Sequence, residues 1–102
     1  MSSFFLILYS RSGCCLCKSL EEKIRTLDFK EIIPSLEFYS LDIDTSDVSE
    51  KDRIRYNLEV PVLFIRSQEE GKLIQLPRAS PRMKKDNLRH WLAKVIQEKL
   101  EL

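Results

Sequence analysis

The chain has 102 residues, 43% of them hydrophobic and 32% charged, with two glycines and four prolines. Such a composition fits a single compact domain over residues 1–102, rich in regular structure, excludes a disordered chain, and requires no disulfide framework. Seventeen basic against sixteen acidic residues leave a net charge of +1, so no overall field draws the protein to nucleic acid or to a membrane surface.

Met1-Ser2-Ser3 carries no basic n-region, and the apolar run behind it is shorter than a signal or membrane-spanning segment, so cytoplasmic residence is the expectation. Residues 4–9 are apolar on both faces, which predicts a central strand covered by helices on both sides. Ser10-Arg11-Ser12-Gly13 follows, then the three cysteines of the chain, Cys14, Cys15 and Cys17. Leu16, Leu20, Ile24 and Leu27 then recur at helical spacing, with Glu21 and Arg25 four apart on the outer side, and predict a helix over 15–28. Residues 29–35, which hold Pro34, read as a connection, and residues 36–43 as a second buried strand, apolar at Leu36, Phe38, Leu41 and Ile43.

Asp44-Thr45-Ser46-Asp47 is rich in N-cap residues, and Val48, Ile54 and Leu58 supply the sparse stripe of a short, largely exposed helix. Residues 59–65, entered through Pro61, form a third strand; a turn at 68–71 leads to a fourth over 72–76, and the two make a hairpin. After a loop over 77–81, Leu88, Trp91, Leu92, Val95, Ile96 and Leu100 mark a long amphipathic helix that begins between residues 80 and 86. The order β-α-β-α-β-β-α, a right-handed crossover followed by a hairpin, gives an α/β fold with a four-stranded mixed sheet flanked by three helices.

The chemistry sits at Cys14-x-x-Cys17. At a strand-to-helix junction this spacing brings two sulfurs within bonding reach, and the helix N-terminus, with Arg11 and Lys18 beside it, favours thiolate over thiol. Cys14, at the start of the helix, is then the attacking sulfur and Cys17, one turn in, the resolving one. A Cys14–Cys17 redox pair also explains an odd count of clustered thiols better than a secreted scaffold does. Core-filling cysteines need neither Gly13 before them nor flanking cations. Structural zinc lacks ligands, since His90 is the sole further candidate. The alternative from another class is a Cu(I) or other soft-metal carrier using the same C-x-x-C. Against it stands the element order, because carriers of that kind end on a strand. Cys15 takes the exposed second slot of the motif and reads as a tolerated small residue.

Residues 9–17, Leu41-Asp42-Ile43-Asp44, and Ile54-Arg55-Tyr56 followed by Val60-Pro61-Val62 together resemble the glutaredoxin and thioredoxin superfamily, in particular short glutaredoxin-like proteins of bacteria and chloroplast-bearing lineages. The resemblance implies a thioredoxin-like (glutaredoxin) fold and thiol-disulfide oxidoreductase activity in cell redox homeostasis. It implies a cis peptide at Pro61 beside the dithiol, with the backbone of Val60 pairing with an extended substrate. Arg11 stands where glutaredoxins keep a basic residue for glutathione. The chain also departs from that pattern. No Pro-Tyr lies between the cysteines, Glu59 stands where threonine is usual, and residues 76–80 replace a Gly-Gly turn.

Pro77 has no N–H, and Arg78 and Ala79 carry side chains where bare backbone would approach the γ-glutamyl carboxylate. One lost charge-assisted hydrogen bond weakens binding roughly ten- to a hundredfold unless Arg78 or Arg82 replaces it. The expectation is therefore no bound cofactor, with glutathione at most a weak co-substrate. Electrons come from a thioredoxin-type reductase or a protein dithiol, the substrates are protein or small-molecule disulfides, and the protein is a monomer. Its potential is expected at about −270 to −200 mV. Arg78, Arg82, Lys84, Lys85 and Arg89 read as a solvated basic loop, Trp91 as core, His90 as without a role, and Tyr9 as a half-buried strand aromatic.

Overall fold

Strand β1 (Phe4–Ser10) is the axis on which the other elements are hung. It pairs in parallel with β2 (Leu36–Asp42) and antiparallel with β3 (Val62–Ser67), and β3 pairs antiparallel with β4 (Leu73–Gln75), giving the order β2-β1-β3-β4. The computed structural model describes residues 3–33, 35–69, 71–80 and 82–100. Met1, Ser2, Pro34, Glu70, Pro81, Glu101 and Leu102 lie outside the described residues, and with them the readings that touch the extreme N-terminus, two loop prolines and one turn position.

A parallel neighbour requires a crossover, which α1 (Cys15–Arg25) supplies between β1 and β2. The helix α2 (Glu50–Tyr56) joins β2 to β3, and α3 (Lys85–Leu100) follows β4. Alternation along the strands divides the core in two. Leu6 and Leu8 of β1 and Leu63 and Ile65 of β3 pack with Leu20 and Ile24 of α1 and with Leu88, Leu92, Val95 and Ile96 of α3. Ile7, Tyr9, Val62 and Phe64 point to the opposite face, where Ile43, Val48 and Tyr56 complete a smaller layer. Among the described residues no helix is long and apolar enough to cross a membrane.

Several expectations are corrected in detail. The second strand is an edge strand, with Leu36 buried but Glu37 and Tyr39 exposed, because only β1 pairs with it. The sheet-facing stripe of α1 runs through Cys17, Leu20 and Ile24, while Leu16 is 57% exposed. Positions three and four before Leu20 lie on either side of the same line along the helix, so the 3.6-residue period fits both. Across α2 and the residues flanking it the inward face is Val48, Asp52 and Tyr56, four apart, which leaves Ile54 74% and Leu58 90% exposed. Helix α1 stops at Arg25, where the Thr26 hydroxyl donates to the Lys23 carbonyl, and residues 29–31 form a 3-10 turn capped by Asp28. The third strand begins at Val62, after a cis Val60–Pro61 peptide.

Candidate active site

The end of β1 turns into α1 through Arg11, Ser12, Gly13 and Cys14, closed by the Cys14 amide donating to the Arg11 carbonyl at 3.1 Å. Gly13 sits at φ +82° with no atom crowding the place of a β-carbon, so the backbone conformation and not the space is what asks for glycine. Cys14 is the N-cap residue of α1, in extended conformation, and its Sγ accepts a hydrogen bond from the Cys17 amide at 3.2 Å. The first turn of the helix carries no acidic residue. A free amide and the positive helix end are thus aimed at the Cys14 sulfur with nothing on that turn to cancel them.

Cys14 and Cys17 are joined as a disulfide, with their Cα atoms 5.3 Å apart. Their surroundings differ sharply, since Cys14 is half-buried and Cys17 only 1% exposed. Cys15 is free and exposed. An open cleft of about 600 Å³ runs past the pair, lined by Arg11, Gly13, Cys14, Cys15, Lys18 and Asp42 among others. Val62 is registered against Tyr9, so Pro61, just before it, lies at the same end of the sheet as the dithiol turn. Pro61 also shares a cavity of about 60 Å³ with Leu20 of α1 and with Arg78. The side chain of Val60 packs against the smaller core layer, and its backbone precedes the β3 ladder.

Arg11 makes four of its five possible N–H hydrogen bonds within the protein. Its Nε and Nη2 form a fork on the Asp44 carboxylate at 2.9 and 3.1 Å, Nη1 donates to the Asn57 carbonyl at 2.9 Å, and Nη2 also reaches the Asn57 side-chain oxygen. The hydrogen bond from Arg11 holds the Asp44 carboxyl below its ordinary value, and the same bond raises the arginine. Arg78 donates from Nη2 to the Glu59 carbonyl at 2.8 Å, and Arg89 pairs with Glu31 at 2.9 Å. The predicted basic loop therefore contains at least two arginines with acceptors of their own.

On the other face of the sheet Tyr9 is 4% exposed and donates its hydroxyl to Asp52 at 2.8 Å; burial first, and that bond second, push its phenol well above the ordinary value. Tyr9 is thus more deeply buried than the half-buried strand aromatic expected of it, and no site role for Asp52, Asp44 or Asn57 follows from the sequence, although Asp44 stands in the segment that carries the resemblance. Nothing in the motif spacing marks these three, because their partners come from other elements. Among the described residues no group of three or more His, Cys, Asp or Glu side chains is arranged to hold a metal ion.

The family model described as Glutaredoxin-like domain (DUF836) matches residues 5–93. No curated protein sequence matches the chain. Among solved structures it is similar to a malarial protein, at 12% identity over 92% of this chain and 98% of that one, with a TM-score of 0.58. It is similar also to the germline-specific thioredoxin Deadhead of Drosophila melanogaster, at 17% identity over 91% of this chain and 81% of that one, again with a TM-score of 0.58. A structural-genomics target protein from X. campestris is 27% identical over 87% of this chain and 96% of that one, with a TM-score of 0.47. The fold is thioredoxin-like, and neither it nor the family supports the metal-carrier alternative.

Proposed function

The chain belongs to the glutaredoxin-like domain family, and from that premise we propose that it is a thiol-disulfide oxidoreductase with Cys14 and Cys17 as its reacting pair. The observation that carries the proposal is the asymmetry of the pair: an accessible sulfur capping a helix, bonded to a buried one. In the reduced protein the Cys14 thiolate, favoured by the Cys17 amide and the helix end, attacks one sulfur of a substrate disulfide, and the other leaves as a thiolate. Cys17 loses its proton to solvent and attacks the Cys14 sulfur. The second substrate thiolate departs, and the pair ends as the Cys14–Cys17 disulfide, two electrons having passed to the substrate.

Val60 and Pro61 stand at the same end of the sheet as the dithiol turn, and there the Val60 backbone meets the extended chain around the substrate disulfide. A protein dithiol or a thioredoxin-type reductase restores the pair. Glutathione serves poorly, because residues 77–79 present a proline and two side chains in place of bare backbone. In this reading the protein works as a monomer in the cytoplasm, where reductants return the pair to the dithiol between turnovers.

The test is insulin reduction driven by dithiothreitol, with trapping of intermediates. Cys14→Ser abolishes turnover, and Cys17→Ser accumulates mixed disulfides through Cys14. Activity of Cys14→Ser equal to the wild type would sink the assignment.

A further inference from the structure

Two arginines tie down the segment that leads into Pro61. Arg11 comes from the dithiol turn and caps the C-terminal end of α2 at Asn57, taking the carbonyl that the helix leaves without a partner. Arg78 comes from the loop after β4 and takes the Glu59 carbonyl two residues further on. Asp44, which orients the Arg11 fork, is itself set by a turn in which its amide donates to the Asp42 carboxylate at 2.9 Å and the Thr45 amide to the Asp42 carbonyl at 3.1 Å. Every nitrogen of the Arg11 guanidinium already has an acceptor, and its charge has a carboxylate counterion.

We infer that Arg11 is a positioning residue, a brace between the turn presenting Cys14 and residues 57–61, and not a cation offered to a ligand carboxylate. A planar fork that satisfies Asp44 with two nitrogens and Asn57 with the third cannot turn to a carboxylate in the cleft without breaking a charge-assisted pair. The brace spans 46 residues of sequence, so it ties the dithiol turn directly to the segment that leads into Pro61. It rests on the Cys14–Cys17 reading for its functional meaning, but its structural consequence is separately measurable.

The experiment uses the full chain in its oxidised form and compares amide hydrogen exchange in the wild type, Arg11→Ala, Arg11→Lys and Asp44→Ala. The two reporters are the Cys14 amide, bonded to the Arg11 carbonyl, and the Glu59 amide, bonded to the Tyr56 carbonyl. Arg11→Ala speeds exchange at both, on the order of tenfold, while core amides of β1 keep their rates. Arg11→Lys does not rescue, because an ammonium has no fork, and Asp44→Ala moves both reporters the same way.

The second arm is glutathione-coupled reduction of hydroxyethyl disulfide. A brace gives no gain in that turnover for Asp44→Ala, whereas a ligand cation released from its counterion gives a several-fold gain. Unchanged exchange at Glu59 in Arg11→Ala, full rescue by lysine, or the gain in Asp44→Ala would each overturn the inference. A wild type that reduces no disulfide from any donor refutes the enzymatic reading instead, and the exchange arm then decides the brace alone.

Discussion

The two faces of the sheet are closed by different means. Against α1 and α3 the layer is aliphatic, built on Leu6, Leu8, Leu20, Ile24, Leu88, Leu92 and Ile96, each at most 2% exposed. Against α2 the layer is smaller and holds three rings in tilted and edge-to-face contact, Tyr9, Tyr56 and Phe64, with centroids 4.6 to 5.9 Å apart. Its two hydroxyls need partners, and they find Asp52 at 2.8 Å and Gln75 at 3.3 Å. Apolar area is non-directional, so the first layer contributes stability without specifying much about orientation. Hydrogen-bonded rings are directional, and they fix where the short α2 sits. That placement matters because α2 ends at Asn57, the anchor of the segment carrying Val60 and Pro61.

The largest loss of stability is expected in the aliphatic layer. Leu92→Ala leaves a cavity between α3 and the sheet, and urea unfolding should report a loss of about 3 kcal/mol with an unchanged slope. In the ring layer Tyr9→Phe keeps the packing and removes one hydroxyl, leaving Asp52 without that donor. The same measurement should show about 1 kcal/mol.

Raising the pH sharpens the contrast without mutation. The Tyr9 phenol is held above its ordinary value of 10.0 in the folded protein, so the unfolded chain releases this proton first. Stability from this group is complete below pH 10 and declines as pH rises past it. The part of that decline due to Tyr9 should be missing in Tyr9→Phe. Outside both layers, Ile54→Ser on the exposed side of α2 should change the unfolding midpoint by no more than about 0.5 kcal/mol equivalent.

Leu16, Ile54 and Leu58 show where periodicity stops being informative. Leu16 and Cys17 satisfy the same helical period relative to Leu20, and only contact with the sheet selects the cysteine. In α2 the apolar Ile54 loses the inward face to Asp52 and Tyr56, since a tyrosine with a hydroxyl partner and a carboxylate that supplies one suit a layer of rings better than an isolated aliphatic. The β2 strand illustrates the same limit. Leu36, Phe38 and Leu41 are as apolar as many central strands, and edge status follows from strand order, which no single strand encodes.

Local chemistry was legible from the residues alone. Cys14-x-x-Cys17 marks two sulfurs one helical turn apart, and the apolar stripe of α3 marks a face that has to be covered. These depend on neighbours within one turn or one strand, where the backbone period converts spacing into geometry. The partners of Arg11 were decided elsewhere. Its position beside the cysteines suggested a cation facing a ligand, but its acceptors, Asp44 and Asn57, lie 33 and 46 residues away and reach it only when β1, β2 and α2 converge at one end of the sheet. A guanidinium takes whichever acceptors the completed fold brings within hydrogen-bond reach, so only the tertiary structure determines which ones it holds.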